Sequence, residues 1–162
     1  MHLQVQTSVW NDMQTYGKAS PHHEVVGAML GHHVDDEISE CNEFIPMTNI
    51  ADQNGEKRLV GSYFNNNLPL ETHYIPDPNE FFQVLKRTRL FTKKSKIELV
   101  GIFHTHPHHA SRPSITDIHG AGYAGFYPIM SLTENKTNVF YYDGEHRIFE
   151  PVTLTLTGNK NE

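Results

Sequence analysis

Cysteine is almost absent: Cys41 is the single one in 162 residues. That excludes an internal disulfide and any zinc cluster built from thiolates. Long apolar runs are missing too, since none approaches the roughly 18 residues needed to span a bilayer. The opening Met-His-Leu-Gln-Val-Gln lacks the basic-then-apolar layout of a secretory signal. Positive charge is scarce, with 13 Lys and Arg against 19 Asp and Glu for a net charge of −6. Nucleic-acid affinity rests mainly on Lys and Arg contacts to phosphates, so no nucleic-acid partner is expected. The run Lys93-Lys94-Ser95-Lys96 reads as a solvated helix end or loop. No repeat, low-complexity region or linker interrupts the chain. The expectation is one cytoplasmic domain over residues 1–162, with no membrane association.

Enough apolar material is present for a real core, with hydrophobic residues at 37%, nine Phe and seven Tyr. Leu3 to Val5 reads as a short strand. Val9, Met13 and Tyr16 share one helical face, with Trp10 a packing residue and Gly17 then Ser20-Pro21 ending the helix. The apolar run from Val25 to Leu30 reads as a buried strand, in which Gly27 marks a close backbone approach or a bulge. His32 to Ile45 reads as strand, acidic turn, strand. Asn54-Gly55 is a turn signal, Tyr63 to Leu68 an irregular surface loop, and Thr72 to Ile75 an extended segment. Asp77-Pro78 starts a helix with an N-cap and a proline at its first position, running to about Phe91. Phe81, Phe82 and Leu85 are its core-facing residues.

Ile97 to Phe103 is a strand that delivers His104-Thr105-His106-Pro107. Ser114 to about Ala124 is a helix, because Pro-Ser-x-x-Asp resembles a capping box. Tyr127 to Leu132, Val139 to Tyr142 and Arg147 to Leu156 are further strands. The fold class is α/β with mixed strand order.

Histidine is abundant, with 12 residues. At that composition about one His-x-His pair is expected by chance, so the pair itself proves nothing. Its context carries more. Residues i and i+2 of a strand face one side, so His104 and His106 can aim at one point while Thr105 faces away. Asp117 lies in the first turn of a helix whose start is set by Pro113-Ser114, and can return to the strand end. Two imidazoles and a carboxylate suit a catalytic Zn²⁺ with an open fourth position. The residues alone leave two readings open: such a site, or a histidine-rich loop with incidental metal affinity. Glu24, at the entrance to the apolar run, reads by itself as an exposed carboxylate at a turn.

His104-Thr105-His106-Pro107, six residues, Ser114, two residues and Asp117 together resemble the motif of the JAMM (MPN+) zinc metalloproteases. Glu24-Val25-Val26-Gly27-Ala28-Met29-Leu30-Gly31 resembles the family's upstream glutamate and its glycine-bearing strand. The likeness covers most of the chain and is greatest to the compact prokaryotic single-domain members. It implies the MPN (JAB/MPN, cytidine-deaminase-like) fold, a mixed β-sheet flanked by helices. It implies one Zn²⁺ held by His104, His106 and Asp117, with water as the fourth ligand. Glu24 becomes the general base, and Ser114 donates a hydrogen bond to the oxyanion. Val26 stands where many small relatives have cysteine, a matter of packing only. His119 resembles one ligand of a second, structural zinc site in some eukaryotic members, whose other ligands have no match here. His22, His23, His108 and His109 are read as surface residues.

The resemblance further implies a zinc isopeptidase or peptidase that cleaves after the C-terminal glycine of a ubiquitin-like or sulfur-carrier (β-grasp) protein. The tail is expected to add a strand beside the motif strand, and Asn49 to Leu68 to carry a substrate-gripping insertion. A homodimer is among the assemblies the sequence allows. Two alternatives compete: a catalytically inactive MPN scaffold, and a RadC-like domain with a related His-x-His-Pro layout. Scaffold relatives lose the glutamate or the ligands, which this chain keeps. RadC-type domains carry Asn between the histidines, where this chain has Thr105.

Overall fold

A computed structural model describes residues 1–51 and 72–158. The turn at Asn54-Gly55, the loop at Tyr63 to Leu68 and nearly all of the expected insertion lie outside the described residues. In chain order the elements are β1 (His2–Gln6), α1 (Thr7–Lys18), β2 (Val26–His33), β3 (Ile38–Met47) and α2 (Pro78–Lys86). They continue with β4 (Glu98–His106), α3 (Ile115–Gly120), β5 (Gly125–Ser131), β6 (Lys136–Asp143), β7 (Ile148–Pro151) and β8 (Thr153–Thr157).

Among the described residues, the eight strands belong to one sheet, ordered β7-β6-β5-β4-β2-β3-β1-β8. Pairing is mixed, because β4 runs parallel to β5 and antiparallel to β2. The two end strands are separated only by Val152, whose amide donates to the Val139 carbonyl. A chain segment that leaves one edge and at once enters the other requires the sheet to curl. Arg147 to Leu156 is therefore two strands rather than one.

β4 occupies the middle, and from Leu99 onward every residue of it is buried. This matches its near-continuous apolar run, the pattern of a strand covered on both faces. On one face Leu3, Val5, Met29, Phe103 and Met130 pack with Val9 and Met13 of α1. On the other, Val26, Ala28, Leu30, Leu99, Ile102 and Tyr127 pack with Val84 of α2. Alternation along β4 sends His104 and His106 to the side of Ile102, and Thr105 to the side of Phe103.

Gly17 is not a helix terminator. It lies inside α1 and is buried, and a Cβ there would come 2.6 Å from Met130 Sδ and 2.9 Å from Thr105 Cγ2. Glycine is thus what lets α1 approach the β4–β5 seam. Gly27 marks a close approach, since a Cβ there would fall 2.1 Å from the Phe44 ring. The register shifts lie further on, around Leu30.

In α2, Asp77 accepts from the amides of Asn79 and Glu80, with Pro78 in the first turn. The helix ends at Lys86, short of Phe91, where the amides of Arg87 and Thr88 donate three residues back, to Val84 and Leu85, and Thr88 Oγ1 also donates to the Leu85 carbonyl at 2.7 Å. Val84 is its buried residue, Phe81 and Leu85 are partly buried, and Phe82 is 44% exposed. Phe82 instead packs edge-on against Phe91. The last helix is also shorter than expected, ending at Gly120 where Ala121 is extended; Gly120 and Gly122 flank that residue and favour the break.

Candidate metal centre

His104 and His106 leave β4 on the same face and are buried with Asp117 and Glu24. Their Nε2 atoms stand 3.2 Å apart. His104 Nε2 is 3.2 Å from Asp117 Oδ1, and His106 Nε2 is 3.1 Å from Asp117 Oδ2. Zn²⁺–nitrogen bonds of about 2.05 Å at tetrahedral angles place neighbouring ligands roughly 3.3 Å apart. The three contacts, which reach both oxygens of Asp117, are of the length that separates neighbouring ligands of a small divalent cation.

Tautomers support the same fit. His106 Nδ1 donates to the Ala110 carbonyl at 2.8 Å, so neutral His106 turns the lone pair of Nε2 toward Asp117 and His104. Burial pushes the His104 pKa down, which keeps that ring neutral, and its Nδ1 has no partner. Two imidazoles and a carboxylate converging in a buried site form a donor set that could hold a divalent metal.

Asp117 is aimed by the start of α3. Ser114 Oγ accepts from the Asp117 amide at 3.0 Å, and the Ser114 amide donates to Asp117 Oδ2 at 2.8 Å. This is the capping box foreseen from Pro-Ser-x-x-Asp, here with aspartate as its acid. The box uses Ser114 Oγ as an acceptor, and its O–H proton is not consumed by the cap.

Glu24 is not the exposed turn residue that it resembles in isolation. It is 2% exposed, with Oε1 3.8 Å from His106 Nε2 and Oε2 without a partner. Burial, then the charge of Asp117, raises its pKa to about 9. An orphaned buried carboxylate oxygen beside two imidazoles and a second carboxylate is where a cation would be favourable. Each of Glu24, His104, His106 and Asp117 offers an atom within 4.8 Å of the others, the one such cluster among the described residues.

Tyr74 escaped sequence reasoning. Its ring lies 4.4 Å from that of His104, and burial raises its phenol well above the ordinary value. It borders a cavity of about 450 Å³ lined by Phe81, Leu85, Ile102, Tyr123 and Tyr127 and ending on Asp117. Only an aromatic residue in an extended stretch marks it in the sequence.

The expected added strand beside the motif strand has no edge to use. β4 is paired with β2 from Glu98 to His104 and with β5 from Gly101 to His106, which places the histidines mid-sheet. His22, His23, His108, His109 and His119 are exposed, and the His109 ring stands 6.4 Å from that of His106. Among the described residues no helix is long and apolar enough to cross a membrane.

Two solved structures resemble the chain over nearly its whole length. A protein from Desulfitobacterium hafniense is 19% identical, with 97% of this chain and 94% of that one covered and a TM-score of 0.69. A protein from Salinibacter ruber is 17% identical, with 97% and 93% covered and a TM-score of 0.61. At such identities the likeness speaks for the fold. No curated protein matches. The model of the prokaryotic homologs of the JAB domain matches residues 6–143, the span that contains every residue of the buried cluster. The fold is the MPN-like one, and the chain belongs to the prokaryotic JAB-domain family.

Proposed function

We propose that the chain is a zinc-dependent peptidase or isopeptidase that cleaves after the C-terminal glycine of a ubiquitin-like or sulfur-carrier protein. The buried convergence of Glu24, His104, His106 and Asp117 carries this reading. His104, His106 and Asp117 hold the metal. A Zn²⁺ there supplies Lewis-acid polarisation, which makes water acidic near pH 7. Glu24 takes a proton from the attacking water and returns it to the leaving amine. The ionised form that this requires is favoured by a neighbouring cation. Ser114 turns its O–H toward the oxyanion of the tetrahedral intermediate, since the helix cap occupies only its acceptor side.

The apolar cavity ending on Asp117 supports an extended tail whose apolar side chains precede the glycine. Because β4 has no open edge, that tail lies across the cleft between α2 and α3 rather than in the sheet. The lone cysteine, Cys41, is buried and unpaired, which is compatible with a reducing cytoplasm. The scaffold alternative is disfavoured by the complete ligand set.

The test offers ubiquitin and several small β-grasp proteins, each fused through Gly-Gly to a reporter, to zinc-loaded protein. Cleavage after the glycine that stops on chelation is expected. If none of the fusions is cut, the scaffold reading replaces this one.

A further inference from the structure

The carboxylate of Glu24 is not held by hydrogen bonds of its own. Oε2 has no partner, and Oε1 stands 3.8 Å from His106 Nε2, beyond hydrogen-bond reach. Its position must come from the backbone, yet Glu24 precedes β2 and the ladder starts only at Val26. Two side chains continue where the ladder stops. Thr105 Oγ1 accepts from the Val25 amide at 3.0 Å, and Asn49 Nδ2 donates to the Glu24 carbonyl at 2.9 Å. That amide and that carbonyl belong to one peptide group, the one joining Glu24 to Val25. Both of its polar atoms are therefore gripped, from opposite sides, by side chains of two other elements.

Thr105 adds a second tie, its amide donating to the Val25 carbonyl at 3.1 Å. Asn49 also donates to the His73 carbonyl at 2.9 Å and accepts from the amides of Ala51 and Ile75 at 3.0 Å each. Its two donors and two lone pairs are all used. The same side chain thus pins both flanks of Tyr74, whose ring backs His104.

We propose that Asn49 and Thr105 are positioning residues, which fix the Glu24–Val25 peptide and thereby the place of the Glu24 carboxylate beside the metal ligands. The inference rests on Glu24 acting as the base. Thr105, between the two ligand histidines, faces away from the metal and acts on the base through the backbone of the neighbouring strand. A carboxylate displaced by about 1 Å loses up to roughly a hundredfold in rate while the substrate still binds.

The experiment compares zinc-loaded Thr105→Val, Thr105→Ser and Asn49→Asp with the natural chain. Its readouts are metal content, kcat and KM on a Gly-Gly-linked reporter, and amide exchange at Val25. Thr105→Val and Asn49→Asp are expected to keep the metal and KM while kcat falls about 10- to 100-fold. Thr105→Ser, which keeps the hydroxyl, is expected to restore kcat. Val25 exchange should quicken roughly tenfold or more in Thr105→Val and stay slow in Thr105→Ser. Unchanged kcat in both Thr105→Val and Asn49→Asp overturns the proposal, as does metal loss that alone accounts for the fall. If the natural chain cuts no tail, the peptidase reading fails separately, and Val25 exchange still decides the clamp: protection that Thr105→Val leaves intact refutes it.

Discussion

Ser114 and Asp117 hold each other through two hydrogen bonds: the Asp117 amide donates to the Ser114 hydroxyl at 3.0 Å, and the Ser114 amide to the Asp117 carboxylate at 2.8 Å. The helix cap and the orientation of the Asp117 carboxylate in the candidate metal site are one arrangement. Ser114→Ala should cost about 1 kcal/mol of stability in the metal-free protein, as loss of an N-cap does. If Ser114 also serves the oxyanion, kcat should drop by about 10²- to 10³-fold. Denaturant unfolding measures the first effect and steady-state kinetics the second. A stability loss with unchanged kcat would confine Ser114 to the cap.

His106→Ala removes the residue that touches every other member of the cluster. It should abolish metal binding, read by elemental analysis of the purified protein. In the natural chain, free zinc at a hundred times its Kd should add about 2.7 kcal/mol of stability. His106→Ala should show no such gain. A surface residue such as His22 should be replaceable without effect on either readout.

Glu24 makes the stability of the metal-free chain depend on pH. Burial and the charge of Asp117 raise its pKa from 4.5 to about 9. The folded, metal-free chain then binds this proton more tightly than the unfolded chain. The contribution to stability is complete below pH 4.5 and is lost as pH rises toward 9. Unfolding free energy of the metal-free protein should decline across that window, and Glu24→Gln should flatten the decline. With zinc present, Glu24→Gln should keep the metal and lower kcat by about 10²- to 10⁴-fold. Retained turnover in that variant would remove Glu24 from the base role.

Gly17 tests the packing behind the site. Alanine there meets Met130 Sδ at 2.6 Å and Thr105 Cγ2 at 2.9 Å, so Gly17→Ala should destabilise by about 1 to 3 kcal/mol despite alanine's better helix propensity. Thermal unfolding gives the answer. A stabilised variant would mean that α1 can withdraw from the β4–β5 seam at little cost.

Much of the site was legible because its parts follow short-range rules. The period of two along β4 aligned His104 with His106, and Asp77-Pro78 and Ser114-x-x-Asp117 announced helix starts through their own side chains. Misreadings began where the outcome depended on distant partners. Phe82 follows the helical pattern yet faces out, because the sheet beneath α2 accommodates Val84 instead. The added strand for a substrate tail failed for the same reason: a strand's edges are set by its neighbours in the sheet, which its own residues do not specify.

The sequence by itself determined that His104, His106 and Asp117 could converge, since strand alternation and helix capping act over two to four residues and need no further context. Only the tertiary structure decided what Glu24 is. A carboxylate that reads as solvent-exposed becomes buried, unpartnered and shifted to about 9. Pairing of β2 with β4 carries it across eighty residues of chain to the ligands, and Asn49 and Thr105 grip its peptide. Burial and pKa are properties of surroundings, and those surroundings exist only once distant segments have packed.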